Sequence, residues 1–243
     1  AIEIDSLFAQ AYIGLAQCYS NYVNLSWDFN PNWLNKAEEL LEKAQKISPG
    51  LPDYYNTLIG VYLLKEDCFN ENTSELAFEL AKEGIQKYPD HAQLNSIVGY
   101  CYYAKFGEKG DEADFEKALE YKERAFLLNP YGNNNINYAE LLALKKEFSK
   151  AIDVCGIIEK PGPSLFAKFR LGEIYYYMGD LERSEAIFST FDLPILFKIH
   201  SLFYLGMISA QRGDKKEAQE IVKKIEILKP KGYAYFEEPL KFA

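Results

Sequence analysis

The chain has 243 residues, of which 48% are hydrophobic and 15% aromatic, and its 36 acidic side chains against 27 Lys and Arg leave a formal charge of −9. That apolar content is too high for a disordered chain. A surface this acidic repels a phosphate backbone, so nucleic acid is not an expected partner, and no run of about 18 apolar residues exists that could insert into a membrane as a helix.

In chain order, the opening Ala1-Ile2-Glu3-Ile4-Asp5-Ser6 reads as the last turn of a helical repeat, so residues 1–8 are expected to end a unit that began earlier. The chain is therefore expected to be a fragment, with any targeting signal outside it. Residues 9–50 put Tyr12, Leu15, Ala16 and Tyr19 on a first helix, then Ala37, Leu41 and Ala44 on a second that stops at Pro49. Residues 51–89 repeat the plan with Tyr55, Leu58 and Tyr62, then Ala77, Ala81, Gly84 and Pro89. Ile59 stands there in place of a small residue, which predicts a looser contact. Residues 90–130 carry Val98, Gly99 and Tyr102, then Ala118, Ala125 and Pro130, with Lys122 at an otherwise apolar position.

Residues 131–163 are compact, with Tyr138, Ala139 and Leu142, then Ala151, Cys155, Ile158 and Pro163. Residues 164–197 carry Leu171, Gly172, Tyr175, Ser184 and Phe188, with no closing proline at Leu196. Residues 198–232 carry Leu205, Gly206, Ala218, Val222, Ile225 and Pro230, with Ser209 where Tyr is usual. Leu171-Gly172 and Gly179-Asp180 recur as Leu205-Gly206 and Gly213-Asp214, a period of 34 residues. A period of that length marks a stacked array of helical hairpins. Small residues let two helices approach, large ones fill the space beside them, and the closing proline stops the second helix. Residues 233–243 leave the pattern: Pro239 would fall inside the next first helix, at a cost of about 3 kcal/mol. They are expected to form a cap or the start of a further segment.

Local signals agree with the hairpins. Asn30-Pro31 reads as a helix cap followed by a first-turn proline, and Asn72-Thr73-Ser74-Glu75 as a cap with Glu three residues on. The Gly-Asp pairs supply tight turns. The first three units carry extra residues between their helices: Tyr19 to Ala37 spans 18 residues, whereas Leu142 to Ala151 spans nine. These insertions either build one edge of a binding surface or lengthen helices that pack together. The aromatics Trp27, Phe29 and Trp33 favour packing, because exposed aromatics are costly in water.

The six units together resemble the tetratricopeptide repeat (TPR) family, in which a bulky residue, Leu, a small residue and Tyr mark the first helix, and Ala, a large residue, Ala and Pro the second. The resemblance implies an all-α fold, a right-handed superhelical solenoid of about six TPR-like hairpins. It also implies a non-catalytic scaffold that holds a protein or peptide partner, either an extended segment or a helix, in a concave groove. The stripe that would line that groove includes Asn56, Tyr100, Tyr103, Asn133, Asn137, Glu140, Phe169, Arg170, Glu173, Tyr176 and Phe203. Its amides offer donors and acceptors to a peptide backbone, and its aromatics offer anchors for apolar side chains. Phe166 and Phe169 have a second reading, as packing between neighbouring units. Family members that clamp acidic chaperone tails use basic groove residues. Here those positions are Ile13, Gln17, Thr57, Gln93 and Ile97, which predicts no such clamp.

The opening repeat also resembles the TPR regions of bacterial signalling regulators. That implies an alternative role as a self-associating regulatory module, with a homo-oligomer as one outcome; an enzyme or small-molecule binder remains a third possibility. No catalytic residue, metal ligand or cofactor is expected. His91 and His200 lie 109 residues apart, outside any metal-ligand spacing. His91 reads as a solvated turn residue, and His200 opens the sixth unit on the groove side. No phosphate-cradling glycine loop or nucleophile elbow occurs. Cys18, Cys68, Cys101 and Cys155 form no CxxC pair, so free thiols and a cytoplasmic location are expected. Cys18 and Cys101 occupy equivalent positions that predict small, buried apolar side chains.

Overall fold

The computed structural model describes residues 2, 4–24, 28, 30–191 and 195–228. Among them form twelve α-helices and one short 3-10 turn, with no strand. They pack as two compact units, one within residues 1–128 and one within residues 129–231. Trp27, Phe29, Pro230 and Pro239 lie outside the described residues.

The first unit comprises α1 (Ala9–Asn24), α2 (Asn32–Ile47), α3 (Pro52–Phe69), α4 (Ser74–Lys87), α5 (Ala92–Lys109) and α6 (Glu112–Leu128). Each odd-numbered helix pairs with the next as a hairpin. α1, α3 and α5 also stand side by side as one layer, while α2 and α4 pack behind, each against the following odd-numbered helix. The contact faces are small residues flanked by large ones: Ala16, Ala37, Ala77, Ala81 and Ala118 are fully buried beside Leu34, Leu41, Ile59 and Leu94. Each such large side chain stabilises the fold by about 1.5–3 kcal/mol through burial. Ile59, in the small-residue position, is itself sealed at 0% exposure.

The second unit follows the same plan. A 3-10 turn (Asn133–Asn135) leads into α7 (Ile136–Leu144) and α8 (Phe148–Ile158), followed by α9 (Leu165–Met178), α10 (Leu181–Phe188), α11 (Ile195–Gln211) and α12 (Lys215–Leu228). Here α7, α9 and α11 form the first layer. Its core is aromatic: Phe169, Phe188, Phe191 and Tyr204 pack together, with Phe188 stacked on Tyr204 at 4.7 Å between ring centroids. The repeated turns behave alike. Gly179 and Gly213 sit at φ 81° and 82°, a conformation cheap only for glycine. The following Asp180 and Asp214 accept hydrogen bonds from the Arg183 and Glu217 amides at 3.1 and 3.0 Å.

Four local expectations change or sharpen. Asn30 does cap α2, its Oδ1 accepting from the Asn32 amide at 3.0 Å. At α4, however, the cap is supplied by Glu66 of α3, which accepts from the Thr73 and Ser74 amides at 2.7 and 3.0 Å. Asn70 ends α3 in the left-handed region at φ 56°, and the chain turns back so that this carboxylate faces the α4 N-terminus, where negative charge is favoured. The extra residues of the early repeats lengthen helices: α3 and α5 have 18 residues each, against nine in α7 and eight in α10. The added residues pack on one another, as Phe106 lies against Phe115 at 5.1 Å and Trp33 lies against Tyr19 and Tyr22 at 5.2 and 5.1 Å. Finally, Cys101 is buried as expected but Cys18 is exposed. Among the described residues, the side of α1 that carries Cys18 has no helix stacked on it, unlike the equivalent side of α5.

Candidate functional site

The face of each first layer that points away from the second helices is open, and the residues expected to line a groove distribute over it unequally. Between neighbouring first helices one rung recurs. Gln17 of α1 donates to Thr57 of α3 at 3.0 Å. Gly60 of α3 lies against Ile97 of α5, whose Cδ1 would be 3.9 Å from an added Cβ. Glu140 of α7 pairs with Arg170 of α9 at 2.7 Å, and Tyr204 of α11 donates to Glu173 of α9 at 2.8 Å. In each rung the residue just after the small-residue position of one helix meets the residue two before that position in the next. These side chains tie successive repeats together, whatever else they do.

Three expected groove residues of the second unit are therefore engaged inside it. Arg170 holds Glu173 at 2.5 Å and Glu140 at 2.7 Å, with side-chain exposures of 13%, 9% and 25% in that order. Burial disfavours the Arg170 charge, but the two carboxylates outweigh it and raise its pKa. Burial also raises the Glu173 carboxyl above its ordinary range, more than Arg170 lowers it. Burial, then the neighbouring Glu173, raises the Tyr204 hydroxyl. Phe169 takes its packing role: it meets Phe188 and Phe191 edge-on at 5.2 and 5.5 Å and presents little surface to a ligand. Glu173 and Phe169 are buried for one reason: α11 stacks on α9 and covers them.

The remaining expected residues keep some exposure. Asn56 is half-buried on α3. Tyr100 donates to Asp67 at 3.1 Å, and Tyr103 stacks on Phe106 at 6.4 Å. In the second unit Asn137 and Phe203 are half-buried, and Tyr176 accepts from Gln211 at 2.7 Å. Asn133 falls in the 3-10 turn, and its side chain lies outside the described residues. The asparagines that sequence reasoning passed over are Asn95 and Asn135. Their side-chain nitrogens donate to the carbonyls of Pro89 and Asn129, each six residues back, at 2.8 and 2.7 Å. Both are nearly inaccessible and pin the turn between repeats. Their equivalent positions, Asn-Ser-Ile and Asn-Ile-Asn before each small residue, were the available signal.

His91 caps α5, its Nδ1 accepting from the Leu94 amide at 3.3 Å. Burial, and then the Arg170 charge, lowers the His200 pKa to about 4. Lys122, at the position expected to be apolar, is 2% exposed and donates to Ser96 at 3.1 Å. Cys68, Cys101 and Cys155 are buried, and burial pushes each thiol up to about 12. Among the described residues no three His, Cys, Asp or Glu side chains group as metal ligands, and no helix is long and apolar enough to cross a membrane.

No family model matches the sequence, and no curated protein does. Solved structures do match the fold. PilW, described as a widely conserved type IV pilus biogenesis factor, superposes with a TM-score of 0.60 or better, at 0.64, with 16% identity over 96% of this chain and 98% of its own. TTC0263, a thermophilic TPR protein of Thermus thermophilus, gives 0.60 with 17% identity over 90% and 99%. A tetratricopeptide repeat protein of Parabacteroides merdae gives 0.53 with 17% identity over 96% and 97%. The chain thus has the all-α helical-repeat fold of TPR proteins.

Proposed function

We propose that the chain is a non-catalytic scaffold that holds an extended peptide or partner helix against the open faces of its first helices. The observation that carries the reading is the set of half-exposed amide and aromatic side chains there: Asn56, Tyr100 and Tyr103 in one unit, Asn137, Tyr176 and Phe203 in the other. Such groups combine hydrogen bonding with apolar contact at modest entropy cost. Glu140, Arg170, Glu173 and Phe169 then serve the groove from beneath, by holding its helices in register. Asn133 is kept in the proposed contact set on its sequence position. The free cysteines fit a reducing cytoplasm.

The test is capture from lysate of the source organism with the intact chain and with an Asn137→Ala/Tyr176→Ala variant of unchanged helicity. A partner retained by the first and lost by the second supports the groove. Equal retention would place binding elsewhere, and recovery of only further copies of the same protein would favour a self-associating regulatory module.

A further inference from the structure

The negative charge is confined to one unit. Residues 1–128 carry 21 Asp and Glu against 11 Lys and Arg, a formal charge of −10, while residues 129–243 carry 15 against 16. Within the first unit, the cations of α3 and α5 turn away from the open face, and Lys122 of α6 is buried with its ammonium on Ser96 of α5. α1 contains no charged residue at all, and α3 contributes Lys65 as its only cation. Lys65 is 7% exposed and turns back to Glu38 of α2 at 2.5 Å. On α5, Lys105 lies over the Phe78 ring of α4, 3.6 Å from its centroid, and Lys109 is the last residue of the helix.

The carboxylates are sorted differently. Glu66 is consumed in capping α4. Asp53 and Asp67 stay exposed on α3. Asp53 has His91 at 3.8 Å, and Asp67 accepts from Tyr100. Partial burial raises the Asp67 carboxyl, the Tyr100 hydrogen bond opposing, so an arriving cation would find an anion that its surroundings stabilise poorly. Tyr100 of α5 thus stands directly beside Asp67, and Asn56 lies one turn from Asp53 on α3. Carboxylates beside tyrosine rings are the chemistry that recognises ammonium and guanidinium groups.

We infer that the open face of α1, α3 and α5 docks an extended basic segment of a partner protein, its Lys or Arg side chains set against Asp53 and Asp67. The inference rests on the scaffold reading and names the partner's chemistry. Fourteen positions separate the two acids, roughly 21 Å along a helix, so the matching cations stand about six residues apart on an extended chain.

A library of random dodecapeptides selected on the immobilised full chain tests it. Enrichment of peptides with Lys or Arg at that spacing is expected. Their affinity should fall at least about tenfold in an Asp53→Asn/Asp67→Asn variant. It should fall less than about twofold in a Glu39→Gln/Glu75→Gln variant, which removes the same charge from second-layer helices, since distant exposed charges are screened by salt. Equal losses in both variants would reduce the effect to overall charge and overturn the inference. Enrichment of acidic or neutral peptides would overturn it while leaving the scaffold reading intact, and no enrichment of any peptide would count against both.

Discussion

Gly172 offers a test in which packing and helix preference act in opposite directions. It lies inside α9, where alanine is ordinarily better than glycine by about 1 kcal/mol. A Cβ built there would stand 2.8 Å from Phe188 Cζ, 2.9 Å from Cε1 and 3.1 Å from Ile187 Cγ2. Carbon atoms prefer about 3.5–4.0 Å, so something close to 1 Å of room has to be found. Phe188 cannot give it: its ring is 1% exposed, stacked on Tyr204 at 4.7 Å and edge-on to Phe169 at 5.2 Å. Overpacking of this kind costs about 1–3 kcal/mol, and set against the helix gain Gly172→Ala is expected to lose up to about 2 kcal/mol net. Gly156 on α8 is the control, because nothing lies within 4 Å of its added Cβ, and Gly156→Ala should gain about 0.5 kcal/mol. Urea denaturation followed by far-UV circular dichroism reads both, and thermal midpoints should move in opposite directions by about 4–8 °C per kcal/mol for a unit of this size. If Gly172→Ala proved as stable as Gly156→Ala, the close approach of α9 and α10 would not be what the glycine serves.

Removing the guanidinium with Arg170→Met strands the buried Glu173 and the half-buried Glu140, at a cost of about 3 kcal/mol. Adding Glu173→Gln should restore much of that loss, and denaturation of the single and double variants measures it. The His200 pKa is lowered to about 4 in the fold from about 6.5 in an unfolded chain. The unfolded state therefore binds more protons between those values, so stability should rise with pH across that window and fall by up to about 3 kcal/mol as the pH drops through it. His200→Gln should flatten that dependence in acid denaturation titrations, and an unchanged slope would assign it to the carboxylates.

Much of the fold was legible because hairpin packing leaves a local signature. Where two helices touch closely, only a small residue fits, and the spacing of Leu171-Gly172 and Leu205-Gly206 registers that directly. The Gly-Asp turns are legible for the same reason, since a left-handed residue and a cap act within a few positions. The cap of α4 was not, because Glu66 reaches it from another helix in competition with a plausible local sequence. The fate of Lys122 was not either: its stem fills the large-residue position while its ammonium finds Ser96.

The candidate face shows the same division. Its register along the first helices follows from periodicity, which predicts Asn56 and Tyr100 on a stripe of the first unit and Asn137 and Tyr176 on a stripe of the second. Whether a stripe residue remains available depends on what the neighbouring helix brings to it. Periodicity alone cannot report that Arg170 meets Glu140, that Tyr204 meets Glu173, or that Lys65 and Lys105 turn to the second layer and leave Asp53 and Asp67 exposed. The amino-acid sequence by itself determined the hairpin unit, its repetition and the facing of each helix, because those rest on steric fit between residues close in the chain. Only the tertiary structure decided which polar groups are spent in binding one repeat to the next, because pairing and burial arise where helices about 30 residues apart come together.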